Sequence, residues 1–114
     1  FEIISNNKFY KQKYFEINIF QNKKKKYYFI KNKKFNFLKE MPIFPMNEIP
    51  KIKFKNHNGK KIKIKMSNMD MRIAIKIKKK FPNLKSGFFI GTNELRNWTL
   101  PSFTKKILNN IKKN

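Results

Sequence analysis

Two stretches of this chain, residues 51–55 and 61–66, alternate lysine with an apolar residue. An ammonium group is a compact point charge that suits phosphate oxygens, whereas the planar arginine fork suits the edge of guanine. The chain has 27 lysines but only two arginines, Arg72 and Arg96. These residues therefore predict contact with the phosphates of a polyanion rather than sequence-specific reading of DNA.

The residues that usually carry catalysis are few and scattered in this sequence. His57 is the only histidine, and we expect it in an exposed turn rather than as a base or a metal ligand. The six carboxylates show no pairing that suggests a site. Cysteine is absent, and three glycines are too few for a phosphate-binding loop. We expect no enzyme activity, no cofactor, no metal and no small-molecule substrate.

The charge balance is extreme, because 29 basic residues oppose six acidic ones and give +23 over 114 residues. Part of this lysine excess is compositional, since Lys, Asn, Ile and Phe, all with AT-rich codons, make up 72 residues. Nucleic acid is still the commonest partner of such a surface, and an anionic membrane is second. Ribosomal RNA, recognised through shape and backbone, fits lysines best. No apolar run approaches the roughly 18 residues of a membrane span, so none is predicted.

The alternating lysines require an element that presents them together, and the pattern predicts a β-hairpin of residues 51–55 and 61–66. Residues 56–59 supply the turn, where Asn58-Gly59 favours positive φ. Successive side chains of a strand point to opposite faces. The six lysines would therefore share one face, and Phe54 would lie with Ile64 in an apolar wall.

A helix is predicted over residues 69–80, after Ser67 and Asn68 as capping residues and with Asp70 in its first turn. Pro82 would end it. A third strand is the alternative, because apolar residues at 71, 73, 75 and 77 also alternate. Lysines of the hairpin and of the end of this segment form the predicted RNA-binding set: Lys51, Lys53, Lys55, Lys60, Lys61, Lys63, Lys65, Lys78, Lys79 and Lys80.

The rest of the chain predicts short elements. Residues 9–20 suit a helix or a pair of strands, 27–30 and 35–38 suit strands, and 41–50 suit an extended connector because three prolines exclude a helix. A turn at 83–87 and a strand at 88–90 follow. Ser102 begins a last helix with Phe103 and Ile107 on its apolar face.

These elements predict one small basic α/β domain over residues 1–114, with a hairpin–helix core at 50–87. Residues 88–114 form an aromatic and basic C-terminal extension. Trp98 and Phe103 in this extension are predicted to pack on neighbouring proteins.

Residues 50–103 carry a series of motifs in a recognisable order: Pro50, Ile52, Phe54, Asn58-Gly59, 62–64, Asn68-Met69-Asp70, Ser86-Gly87, Thr92-Asn93, Trp98 and Phe103. This series resembles a thioredoxin-like family of mitochondrial proteins. The family includes a large-subunit ribosomal protein, which is the most similar member, a small-subunit ribosomal protein and an accessory subunit of respiratory complex I. The resemblance implies a thioredoxin-like mixed sheet with flanking helices, without redox chemistry because cysteine is absent.

The function that the resemblance implies is structural. We expect a constituent of the large subunit of a mitochondrial ribosome in the matrix, or of another organelle's ribosome, that binds the rRNA backbone and packs on neighbouring ribosomal proteins. The alternatives are a small-subunit ribosomal protein, an accessory subunit of a respiratory complex, and a basic peripheral membrane protein. Residues 58–71 are also similar to part of the nineteenth bacterial small-subunit ribosomal family.

Overall fold

The computed structural model describes residues 11–22, 24–66, 69–78 and 87–112. Seven strands, two α-helices and one 3-10 helix follow one another in the described chain: β1 Lys11–Phe20, β2 Lys26–Lys31, β3 Pro42–Ile43, β4 Met46–Glu48, α1 Lys51–Lys55, β5 Lys60–Met66, β6 Met69–Lys78, β7 Gly87–Gly91, the 3-10 helix Leu95–Asn97, and α2 Ser102–Lys112. The strands form a four-stranded sheet in the order β4-β1-β6-β5 and a three-stranded sheet in the order β3-β2-β7. The predicted α/β class with a mixed sheet is confirmed. A thioredoxin-like arrangement within that class stays a prediction.

The described residues divide into two units by their backbone contacts. One unit contains residues 11–17 and 46–76, and the other contains residues 18–45 and 77–112. The strand predicted at 88–90 and the last helix belong to the second unit, together with β2 and β3. The single basic domain predicted for the whole chain therefore stays a prediction.

The first unit is built on an antiparallel hairpin of β5 and β6, in which Lys60 pairs with Ile75 at one end and Met66 with Met69 at the other. The helix predicted over 69–80 is wrong, and the alternative of a strand is right. Met71, Ile73, Ala74 and Ile75 are all buried. A strand between two neighbours buries both of its faces, whereas a surface helix buries one stripe. Residues 67, 68, 79 and 80 lie outside the described chain.

The strand predicted at 51–55 is also wrong, because these residues form α1. Pro50 has the extended conformation of an N-cap, and its carbonyl accepts a hydrogen bond from the Phe54 amide at 3.1 Å. The Phe54 ring packs on Tyr14 of β1, with 5.1 Å between ring centroids. Five residues make little more than one helical turn, so the period-2 pattern is outweighed here by the contact of Phe54 with Tyr14, and Ile52 is left exposed. The predicted hairpin partner of β5 is therefore replaced by β6.

The second unit has its core around β2, the middle strand of the three-stranded sheet. Ile30 pairs with Ile43 of β3, and Tyr28 pairs with Phe89 of β7. The strands predicted at 27–30 and 88–90 and the last helix are thus confirmed. Residues 11–20, predicted as a helix or two strands, form the single strand β1. The buried residues of the second unit include Phe29, Phe44, Ile90, Phe103, Ile107 and Leu108.

A loop replaces the strand predicted at 35–38, and Asn32 organises it. The Asn32 amide nitrogen donates to the carbonyl oxygens of Phe37 and Leu38, and its oxygen accepts from the Lys34 and Phe35 amides at 3.2 and 3.0 Å. Asn32 itself is buried. A side chain that satisfies four backbone groups gives this loop an alternative to strand pairing.

Candidate nucleic-acid interface

Three lysines form a row on one face of β5. Lys61, Lys63 and Lys65 are exposed, while Ile64 between them is buried. β5 is one of the two edge strands of the four-stranded sheet, and β4 is the other. Residues two apart on a strand are separated by about 6.8 Å, a distance close to that of successive phosphates along a nucleic-acid strand. This half of the predicted lysine face therefore has the alternation that the sequence indicates.

The other half of the predicted lysine face is not on a strand. Lys51, Lys53 and Lys55 are exposed on α1, where 3.6 residues per turn place Lys53 away from the side that Lys51 and Lys55 share. The six lysines therefore do not lie on one strand face, which corrects the sequence prediction. Lys60 is partly exposed at the start of β5.

The remaining predicted RNA-binding lysines are not brought to this row. Lys78 lies at the end of β6 and belongs to the second unit. Lys79 and Lys80 lie outside the described residues.

A groove of about 380 Å³ adjoins the row, lined by Phe54, Lys61, Ile62, Lys63 and Arg72. The Lys61 ammonium lies 5.4 Å from the centroid of the Phe54 ring and donates to the Lys55 carbonyl at 3.2 Å. Phe54 is only partly buried, contrary to the apolar wall predicted for it. In the predicted hairpin Phe54 would lie on the face opposite the lysines, whereas the helix at 51–55 brings its ring beside Lys61, so the groove could not be predicted from the alternation.

Asp70 neutralises part of the charge beside this groove. Arg72 donates to both of its carboxylate oxygens, with Nε 3.3 Å from Oδ1 and a terminal nitrogen 3.2 Å from Oδ2. The hydrogen bonds from Arg72 hold the pKa of Asp70 below its usual value, aided by the charges of Arg72, Lys63 and Lys65, although burial raises it. Asp70 therefore neutralises neighbouring cations of the sheet. It does not lie in the first turn of a helix, where the sequence predicted it.

His57 is not the exposed turn residue that the sequence predicts. Its side chain is 9% exposed, and its Nδ1 accepts a hydrogen bond from the Gly59 amide at 2.9 Å. An Nδ1 that accepts has no hydrogen, so the hydrogen is on Nε2, which lies 2.9 Å from Oε2 of Glu16. The sequence feature that could have indicated this contact is Glu16, the only charged residue in the mostly apolar run 14–20.

Gly59 is needed here for space rather than for positive φ. No glycine among the described residues has positive φ. A Cβ on Gly59 would lie 2.0 Å from the Ile75 carbonyl oxygen and 2.8 Å from Cε1 of His57. The glycine therefore lets the loop after α1 approach β6 closely.

The two residues predicted to pack on neighbouring proteins differ in exposure. Trp98 is 42% exposed and stacks on Phe88, with 5.2 Å between centroids and 14° between ring planes. Phe103 is 3% exposed, in the core of the second unit. Trp98 therefore has surface to offer a partner, and Phe103 has almost none.

The described residues contain no group of three histidine, cysteine or acidic side chains placed to hold a metal ion. The helices in 11–22, 24–66, 69–78 and 87–112 are too short or too polar to cross a membrane.

Neither a protein-family model nor a curated protein matches this chain.

Proposed function

We propose that the protein is a structural constituent of a mitochondrial ribosome, in its large subunit, and that it binds the backbone of rRNA. The observation that carries this proposal is the row of Lys61, Lys63 and Lys65 on an edge strand, extended by the guanidinium of Arg72. In the register of the hairpin Asp70 lies opposite Lys65, whereas Lys63 lies opposite Arg72 and Lys61 opposite Ala74. The row therefore needs an external polyanion to offset its repulsion.

The chemistry of the row favours RNA phosphates. Ammonium groups that replace condensed counterions gain affinity from counterion release without reading base sequence. The overall charge of +23 adds to this attraction and has the sign that rRNA requires. The mitochondrial part of the proposal rests on the resemblance of residues 50–103 to the thioredoxin-like mitochondrial family.

Sedimentation of the tagged native protein from organelle lysate tests this function. The protein should migrate with the large ribosomal subunit and should leave that fraction after ribonuclease treatment. Migration with a respiratory complex that survives ribonuclease would replace the proposal with an accessory-subunit role. Migration with the small subunit would retain rRNA binding but reject the large-subunit assignment.

A further inference from the structure

The groove beside β5 combines an accessible aromatic ring with three cations. Phe54 provides the ring, and Lys61, Lys63 and Arg72 provide the charges around about 380 Å³ of space. The groove is shallow and open to solvent, so it offers a surface on which a flat group could lie rather than an enclosed pocket. Contacts with the phosphates of an RNA backbone would require only the exposed lysine row. They do not explain why the aromatic ring of Phe54 lies beside it.

The cations of this groove are incompletely compensated. Lys63 lies directly opposite Arg72 in the antiparallel pairing of β5 and β6, which places two like charges side by side. The Asp70 carboxylate is held by Arg72 and lies opposite Lys65. One carboxylate therefore serves several cations, and an anion between Lys63 and Arg72 would relieve their repulsion.

The ring of Phe54 is held in place and is only partly covered. Tyr14 contacts it at 5.1 Å between centroids, with ring planes tilted by 52°. The Lys61 ammonium lies over it at 5.4 Å on a flexible stem that an incoming group can displace. The contact with Tyr14 fixes the ring while the groove leaves part of it accessible, an arrangement that suits stacking by a planar group.

We propose that this groove binds one unpaired nucleotide of an RNA strand, with the base stacked on Phe54 and its phosphate between Lys63 and Arg72. This inference rests on the proposed function, since it takes rRNA as the ligand. It adds to that function a contact with a base, where the lysine row contacts only phosphates. Single-stranded loops and bulges are the parts of RNA that offer such a base.

A tryptophan reporter in the groove tests the stacking directly. Trp98 is the only tryptophan, so the double variant Phe54→Trp with Trp98→Phe has one indole, placed in the groove. Single-stranded oligo(A) should quench its fluorescence, because a base stacks on the indole. Inorganic polyphosphate, which has charge but no base, should leave the fluorescence unchanged. Equal quenching by both probes would overturn the base contact.

Affinity measurements on the otherwise native chain provide the second test. Phe54→Leu should weaken binding of oligo(A) about tenfold or more, which is the loss expected for one stacked base. Its salt dependence should match that of the native protein, because every cation remains. Phe54→Tyr, which keeps an aromatic ring, should bind like the native protein.

The outcomes separate the two proposals. If the native protein binds no RNA, both the rRNA function and the nucleotide site fail. If it binds RNA with a strong salt dependence while Phe54→Leu binds equally well, the nucleotide site fails and the function stands. If Phe54→Leu does not fold, the reporter variant, which retains an aromatic ring at residue 54, decides the question.

Discussion

Nε2 of His57 lies 2.9 Å from Oε2 of Glu16, so residues 41 positions apart connect β1 to the loop after α1. The same imidazole accepts the Gly59 amide through Nδ1. The His57 side chain thereby connects β1 with the loop and also holds the backbone of the loop at Gly59. This loop connects α1, which carries Phe54, to β5, which carries Lys61, and these two elements line the proposed nucleotide groove.

His57→Ala should lower the free energy of unfolding by about 1–3 kcal/mol, because it removes partners from the Gly59 amide and from a mostly buried carboxylate. Glu16→Gln keeps an oxygen that accepts from Nε2, so its loss should be smaller than that of Glu16→Ala. Urea denaturation of the three variants measures these differences. Equal stability of His57→Ala and the native protein would show that the contact contributes nothing.

Gly59→Ala should be strongly destabilising, by about 2–3 kcal/mol, because the new Cβ meets the backbone oxygen of Ile75 at 2.0 Å. Gly91→Ala is the matched control. Its Cβ would first meet the end of the flexible Glu94 side chain, at 2.8 Å, which can move. In thermal unfolding the melting temperature of Gly59→Ala should therefore be well below that of Gly91→Ala. The reverse order would contradict the close approach of the loop to β6.

Asp70→Asn should lower stability at neutral pH by about 1–2 kcal/mol, because the Arg72 guanidinium loses its ionic partner. The pKa of Asp70 in the folded protein is lower than its ordinary value of 3.8. The contribution of Asp70 to the free energy of unfolding is therefore fully present above pH 3.8, and it is lost as the pH falls through the pKa of the folded protein. In urea unfolding across acidic pH, the stability gap between native protein and variant should narrow at low pH. A gap independent of pH would contradict this role.

Asn32→Ala should destabilise the second unit by about 2–4 kcal/mol, because two backbone amides and two carbonyls lose their buried partner. Asn22 is the comparison, since its side-chain oxygen accepts hydrogen bonds from the Lys24 and Lys26 amides, at 3.0 and 2.9 Å, in a more exposed part of the chain. Asn22→Ala should cost clearly less in chemical denaturation. Equal costs would show that the four bonds of Asn32 do not hold its loop.

Replacing Lys61, Lys63 and Lys65 together by glutamine should reduce the slope of log affinity against log salt for RNA by about 2 to 3. The control, Lys33, Lys105 and Lys106→Gln, removes three exposed lysines from the second unit and the same total charge. Its slope should remain that of the native protein. Filter-binding titrations over a range of salt measure both, and equal slopes in the two triple variants would exclude the row as the contact.

Local patterns in the sequence were sufficient for several elements. Alternation predicts β5, and amphipathic spacing predicts α2, because each needs only a run of neighbouring residues. The same patterns left a helix and a strand open at 69–78, and at 51–55 they predicted a strand where the chain forms a helix. Burial on both faces favours the strand at 69–78. The contact of Phe54 with Tyr14 favours the helix at 51–55. Both contacts join segments far apart in the chain.

The candidate site divides in the same way. Charge is a property of composition, so the sequence by itself determined a lysine-rich surface and the alternation of Lys61, Lys63 and Lys65. Only the tertiary structure decided that Asp70 pairs with Arg72, that His57 contacts Glu16 and that Phe54 enters a cationic groove. The Asp70–Arg72 pair requires that 69–78 is a strand, where residues two apart share a face. The other two contacts depend on which segments lie side by side, and that choice is made by the total apolar surface buried rather than by any local pattern.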